Sequence, residues 1–299
     1  MSDAARRRPQ DIGDDEVLAR VERVAAYARK AFAGEVGTSA SRGGLFGGGT
    51  LLSDVRRYAP GDDPRFIDWA AYGRLDEVFV RVFEPEEAAP IHVALDRSRS
   101  MEAGDATKAA QAALLAVGFA AVGALVLAGA SVARLPSGET ASFAGRASML
   151  ALLRHCRREG EPGTLRLKEL AAREASRTVR APFVIITDAA PPGDLEAALQ
   201  VRGPRRALVV HVVGRQELEP PERGLVRWID PETGRARRLL VTKRLRAAYQ
   251  ECLRARFQEV ESAVRRARAG YLRVASDTPF DAAVLTALQR GLSATGVLA

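Results

Sequence analysis

The 299 residues are 47% hydrophobic and 27% charged, globular proportions that exclude wholesale disorder and leave room for one large domain or two modest ones. The net charge of +8 comes mostly from Val201–Arg273, where 18 Lys and Arg stand against 8 Asp and Glu. Aromatics are scarce among these arginines, which favours a solvated basic face over a nucleic-acid groove.

Residues 1–15 are polar, and Glu16–Phe32 then places Val17, Leu18, Val21, Val24, Ala25 and Ala28 at helical spacing. That predicts an amphipathic helix closing a first region at 1–34. Gly34–Thr50 is rich in glycine and serine and predicts a loop, with no lysine after its glycines to make a phosphate cradle. Within the segment 35–90, Pro60–Pro64 (PGDDP) marks a turn, and Ile67 and Trp69 are expected as core anchors after it. Val78–Phe83 alternates like a half-buried strand. Asp62, Asp63, Arg65 and Asp68 crowd charge into an apolar segment, serving either a turn network or an interaction surface.

A domain spanning 91–290 follows. Ile91, Val93, Ala94 and Leu95 make a short strand covered on both faces, as in a parallel sheet. Ala109–Ala133 holds 25 residues without a charge, long enough to span a bilayer. Alanine and glycine dominate it and no aromatic belt flanks it, so a buried helix over Asp105–Leu127 explains it better. Ser131–Leu135 and Thr140–Phe143 are predicted strands, Arg146–Arg158 and Leu165–Arg177 predicted helices with the loop Gly160–Thr164 between them. Pro182–Thr187 and Ala207–Val213 are continuous apolar strands; a hairpin at 224–241 turns at Pro231–Gly234. Helix Lys243–Ala269, strand Tyr271–Ala275, helix Phe280–Gln289 and a tail at 291–299 complete the chain. Strands alternating with helices predict an α/β fold, a mostly parallel sheet with helices on both faces. Cys156 and Cys252 form no CxxC pair, and no export signal follows the opening MSDAARRRPQ. Both thiols are therefore expected as small core residues of a cytoplasmic protein.

The chemistry gathers after the strand Ile91–Leu95, where IHVALDRSRSM carries Asp96, Ser98 and Ser100. One carboxylate and two hydroxyls at alternate positions put hard oxygen ligands on one side of a loop, as Mg²⁺ prefers. A second apolar strand ends at Thr187 in Asp188, and Thr164 adds an oxygen donor in a glycine-containing loop. In open α/β sheets such strand ends are where sites form.

This order, D-x-S-x-S then Thr164 then Asp188, resembles the metal-ion-dependent adhesion site of a von Willebrand factor A domain. Upstream, YAPGDDPRFIDW at Tyr58–Trp69, with Tyr72, Arg74 and FEPEE, resembles the bacterial family called domain of unknown function fifty-eight. DPETG at Asp230–Gly234 and SDTPFDAAVLTAL at Ser276–Leu288 fit the same family, so the resemblance covers roughly residues 35–290. Thr50–Ser53 and Ala130 depart from its pattern, and Arg97 and Arg99 are less expected inside a ligand loop. The resemblance implies a von Willebrand A-like, Rossmann-like domain behind a family-specific N-terminal segment. It implies Mg²⁺ (or Mn²⁺) held by Asp96, Ser98, Ser100, Thr164 and Asp188. It further implies a MoxR-type AAA+ ATPase as the partner that supplies an acidic residue to the metal, in chaperone-like assembly or maturation of other proteins. Arg97, Arg99, Asp62, Asp63, Arg65, Asp68 and Trp69 are candidate partner-interface residues, the two loop arginines as guides for an acidic partner.

Two other classes compete. An Mg²⁺-dependent phosphoester hydrolase of the aspartyl-nucleophile type needs a second acid where Ser98 stands, and Ser98 cannot supply general acid-base catalysis. His92 and His211 fall within apolar strands and His155 within a helix, positions of core or surface residues rather than bases. Nucleic-acid binding would use the basic region 201–273 and would weaken steeply with salt. The expectation is a protein that is not an enzyme.

Overall fold

The computed structural model describes residues 8–32, 50–59, 64, 67–75, 77–85, 89–102, 106–159, 181–188, 192–202, 207–219, 224–230, 233–290 and 295–298. The predicted loop over residues 34–49, the helix Leu165–Arg177, and Thr164, Asp62, Asp63 and Arg65 lie outside them.

After a short 3-10 turn, α1 (Asp14–Phe32) buries Val17, Val21, Val24 and Ala28, the stripe its periodicity predicts. Next, β1 (Thr50–Arg57) and β2 (Phe79–Pro85) pair antiparallel as a separate sheet, with α2 (Trp69–Leu75) between them in sequence. The chain continues through β3 (Ile91–Asp96), α3 (Arg99–Glu102), α4 (Ala106–Val126), β4 (Ala130–Leu135), β5 (Glu139–Phe143) and α5 (Met149–Arg157). It then runs through β6 (Phe183–Thr187), α6 (Pro192–Arg202), β7 (Ala207–Val213), α7 (Arg215–Leu218) and the hairpin β8 (Gly224–Ile229) and β9 (Ala236–Val241). It ends with α8 (Lys243–Arg266), β10 (Gly270–Ala275), α9 (Phe280–Arg290) and β11 (Thr295–Leu298).

The main sheet has seven strands in the order β11-β10-β7-β6-β3-β4-β5, all parallel except the antiparallel edge strand β5. Every residue of β3, β4, β6 and β7 is buried, as continuous apolar runs require when helices cover both faces. Packed on one face are α1, α4, α5 and α9. On the other, Leu195, Ala198 and Leu199 of α6 and Val260 and Val264 of α8 build a second core. This is the predicted α/β architecture, a mostly parallel sheet with helices on both faces. One helix among the described residues, Thr107–Val126, is long and apolar enough to cross a membrane, and 83% of it is buried inside the protein.

Four local expectations change. Trp69 is 65% exposed rather than a core anchor; it opens α2, its ring 6.2 Å from that of Tyr72 and nearly perpendicular to it. Cys252 lies on the exposed side of α8, whereas Cys156 is buried as expected. β1 arises from a stretch with no clean alternation, because a register shift between Leu52 and Asp54 breaks the period of two. The main sheet also continues past residue 290, since β11 pairs with β10 at its edge.

Candidate metal centre

The order of the main sheet has a switch point. From β3 the chain turns to one side to form β4 and β5, then crosses to the other side for β6, β7 and β10. In open α/β sheets, sites form at the carboxyl ends of the two strands flanking such a reversal, where loops diverge to opposite faces. Those strands are β3 and β6, which end in Asp96 and run into Asp188.

Each acid is held by identifiable groups. The Asp96 carboxylate accepts the Ser98 backbone N–H at 2.9 Å on one oxygen and the Thr187 hydroxyl at 2.7 Å on the other. The first bond folds the loop back on its own start, the local turn that an Asp at a strand end favours. The Ser98 and Ser100 hydroxyls stand 3.1 Å apart, and Ser100 donates to Asp188 Oδ1 at 3.0 Å. A hydrogen bond 88 residues apart in sequence thereby joins the β3 loop to the end of β6. Asp96 and Ser98 are 1% and 2% exposed.

Sequence reasoning missed Lys108. It enters from the first turn of α4, 1% exposed, and its ammonium donates to Asp188 Oδ2 at 2.8 Å and to Glu217 Oε1 at 2.6 Å. Glu217 in turn accepts the Gly214 backbone N–H at 2.8 Å, which fixes α7 at the end of β7. The available signal was a single lysine just ahead of 25 uncharged residues on a helix buried all round. Such a charge needs a buried acid. Thr187 was visible only as the last residue of an apolar strand; its role depends on the register that sets β6 beside β3.

Burial, and next the negative charge of Asp188, push the Asp96 carboxyl up to about 6, against the lowering effect of its hydrogen bonds. Lys108 is shared by Asp188 and Glu217, and Asp96 feels the charge of Asp188 without contacting the ammonium. Arg97 is 6% exposed rather than presented to a partner, donating to Glu102 at 3.0 Å and to the Ala109 carbonyl at 3.2 Å. Arg99 is exposed. Among the described residues no three His, Cys, Asp or Glu side chains gather to hold a metal. Any ion here would rely on the hydroxyls of Ser98 and Ser100 beside Asp96 and Asp188. Those four side chains offer hard oxygens, two carboxylates and two hydroxyls, as a divalent cation prefers.

The remaining predicted residues are structural neighbours of other elements. Asp68 accepts the Ala71 N–H at 3.0 Å and so caps α2. His211 is buried, its Nδ1 2.8 Å from the Tyr271 hydroxyl, and burial pushes it down to about 4, so it is neutral in the fold. His155 is also buried, with Nε2 3.2 Å from the Val132 carbonyl.

A family model described as "Protein of unknown function DUF58" matches residues 54–259. Two curated relatives, uncharacterized proteins of Mycobacterium tuberculosis and Mycobacterium bovis, are each 28% identical over 247 residues, which is 77% of this chain and 76% of theirs. Among solved structures, a von Willebrand factor type A protein from Catenulispora acidiphila aligns over 44% of this chain and 34% of its own. That alignment has 18% identity and a TM-score of 0.31.

Proposed function

The chain belongs to the DUF58 family of proteins of unknown function, and from that premise we propose that it is a metal-dependent protein-interaction module. A divalent cation, Mg²⁺ or Mn²⁺, would be held by Asp96, Ser98, Ser100 and Asp188, with Thr164 completing the set. A position left open on such an ion takes a carboxylate from a partner, so the metal bridges two proteins. The partner is a MoxR-type AAA+ ATPase, and the role is chaperone-like assembly or maturation of other proteins in the cytoplasm. One observation carries this reading: the Ser100–Asp188 hydrogen bond of 3.0 Å, which draws the D-x-S-x-S loop onto the second strand-end acid. The same serines argue against the hydrolase alternative, because no acid stands where Ser98 lies 3.1 Å from Ser100.

The test is capture of the purified ATPase by the immobilised full chain, with Mg²⁺ and with chelator, for wild type, Asp96→Ala and Asp188→Ala. Capture is expected for wild type with Mg²⁺ only. If folded variants, verified by cooperative thermal unfolding, capture the ATPase as wild type does, the adhesion mechanism is wrong.

A further inference from the structure

The hairpin β8–β9 forms its own two-stranded sheet, and with the first turns of α8 it encloses a cleft of about 450 Å³. Side chains alternate between the faces of a strand. Trp228, Arg237 and Leu239 therefore share the face that meets Leu245, Arg246 and Tyr249 across the cleft. The Trp228 and Tyr249 rings lie 5.8 Å apart at 49°, giving an aromatic and aliphatic floor. Its rim carries the guanidinium groups of Arg235, Arg237 and Arg246.

Among the described residues this charge has no ion-pair partner: none of these three arginines forms an ion pair, and neither do Arg227 and Arg238 on the opposite face of the hairpin. Arg227 and Arg238 sit directly opposite each other in register, a like-charge pairing that weakens a hairpin on its own. Over residues 224–246 there are seven Lys and Arg against two Asp and Glu, and Asp230 is engaged with the Thr233 hydroxyl at 2.6 Å. Leu225 and Leu240, also directly opposite, are 72% and 64% exposed.

We propose that this cleft docks a short acidic peptide segment of a partner protein. One aromatic or aliphatic side chain of the segment enters between Trp228 and Tyr249, and flanking carboxylates engage Arg235, Arg237 and Arg246. Guanidinium forks match carboxylates in paired hydrogen bonds, and the volume suits a seated side chain. A single-stranded nucleic-acid track needs successive aromatic platforms along the basic path. Here the lining beyond the Trp228–Tyr249 pair adds arginines and aliphatic side chains but no further aromatic ring. The cleft also adjoins the strand-end cluster, since the Tyr249 hydroxyl donates to the Glu217 carbonyl at 2.9 Å. The docking itself requires no metal.

The experiment is selection of random 12-residue peptides displayed on phage against the full chain in chelator, followed by anisotropy titration of the enriched sequences. Enriched peptides should place Asp or Glu around one aromatic or aliphatic residue. They should weaken with salt and bind the double variant Arg237→Glu, Arg246→Glu at least roughly tenfold more weakly. Trp228→Ala should weaken them separately, with thermal unfolding confirming that both variants fold. Enrichment without acidic residues, or equal binding by the folded variants, overturns the proposal. So does tighter binding of a 20-nucleotide single strand or of phosphatidylglycerol vesicles than of any selected peptide. Because chelator is present throughout, failure here is distinct from failure of metal-dependent capture.

Discussion

The Lys108 ammonium lies 2.8 Å from Asp188 Oδ2, while Ser100 Oγ lies 3.0 Å from Asp188 Oδ1. One carboxylate thus faces a tethered cation on one oxygen and the candidate ion-binding loop on the other. Burial works against the charge of Lys108, but Asp188 and Glu217 outweigh it and hold its pKa above the ordinary lysine range.

Removing that cation should leave Asp188 uncompensated. Lys108→Met is expected to destabilise the metal-free protein by about 3–5 kcal/mol, the usual penalty for breaking a buried pair from one side. Mg²⁺ should then raise the unfolding temperature of the variant more than that of wild type, since ligand bound only to the native state stabilises it. Urea unfolding in chelator and thermal unfolding with Mg²⁺ measure both. Equal stability of variant and wild type in chelator would show that the pair contributes nothing net.

Two buried groups should oppose each other as acid is added. Asp96 titrates at about 6 in the fold against an ordinary 3.8, so its contribution favours the native state at low pH and is lost as pH rises through 6. His211 titrates at about 4 against 6.5, so its contribution is present above 6.5 and is lost as pH falls toward 4. Each is worth about 3 kcal/mol at 1.36 kcal/mol per pH unit, with opposite sign over nearly the same window. In chelator, Asp96→Asn should be more stable than wild type near pH 7 by up to about 3 kcal/mol, with the gap closing toward pH 4. The amide keeps an oxygen for the Ser98 N–H, and the Thr187 hydroxyl can turn to accept. Urea midpoints at several pH values test this, and a gap that stays constant would contradict it.

Helix α4 sets a steric prediction. A Cβ on Gly123 would stand 2.5 Å from the Gly129 carbonyl oxygen, a backbone atom that cannot step aside. On Gly118 it would meet the Val284 side chain at 2.8 Å, which can turn. Gly123→Ala is therefore expected to destabilise by about 1–3 kcal/mol, and Gly118→Ala by less. Comparable losses in urea denaturation would mean the carbonyl shifts as readily as the valine.

The thiols should differ sharply. Cys156 is fully enclosed and burial pushes it up to about 12, while Cys252 is exposed on α8. A colorimetric thiol reagent should label the native chain quickly at one position, and Cys252→Ser should abolish that phase. Two fast equivalents would disprove the burial of Cys156.

Continuous apolar strands and the helices between them were legible because burial on both faces leaves a composition signature. Asp96, Ser98, Ser100 and Asp188 were legible because strand ends in such sheets form sites, and the structure brings those four together. Lys108, Thr187 and Glu217 were not, because each becomes a neighbour only through sheet order and register. Trp69 was misplaced because size and apolarity suggest burial, whereas it sits at the exposed start of a seven-residue helix. The helix α6 escaped notice because it begins with Pro-Gly, a turn signal that is equally acceptable at a helix's first positions.

The cover over α4 has a consequence for synthesis. It needs α1 and β3, made before it, but also α5 and α9, the last of which begins about 150 residues later. While the ribosome makes that stretch, twenty residues with the length and composition of a membrane span stand without their final neighbours. The order in which this chain emerges therefore leaves the apolar faces of α4 uncovered until its last neighbours are made, the interval in which exposed hydrophobic surface favours aggregation.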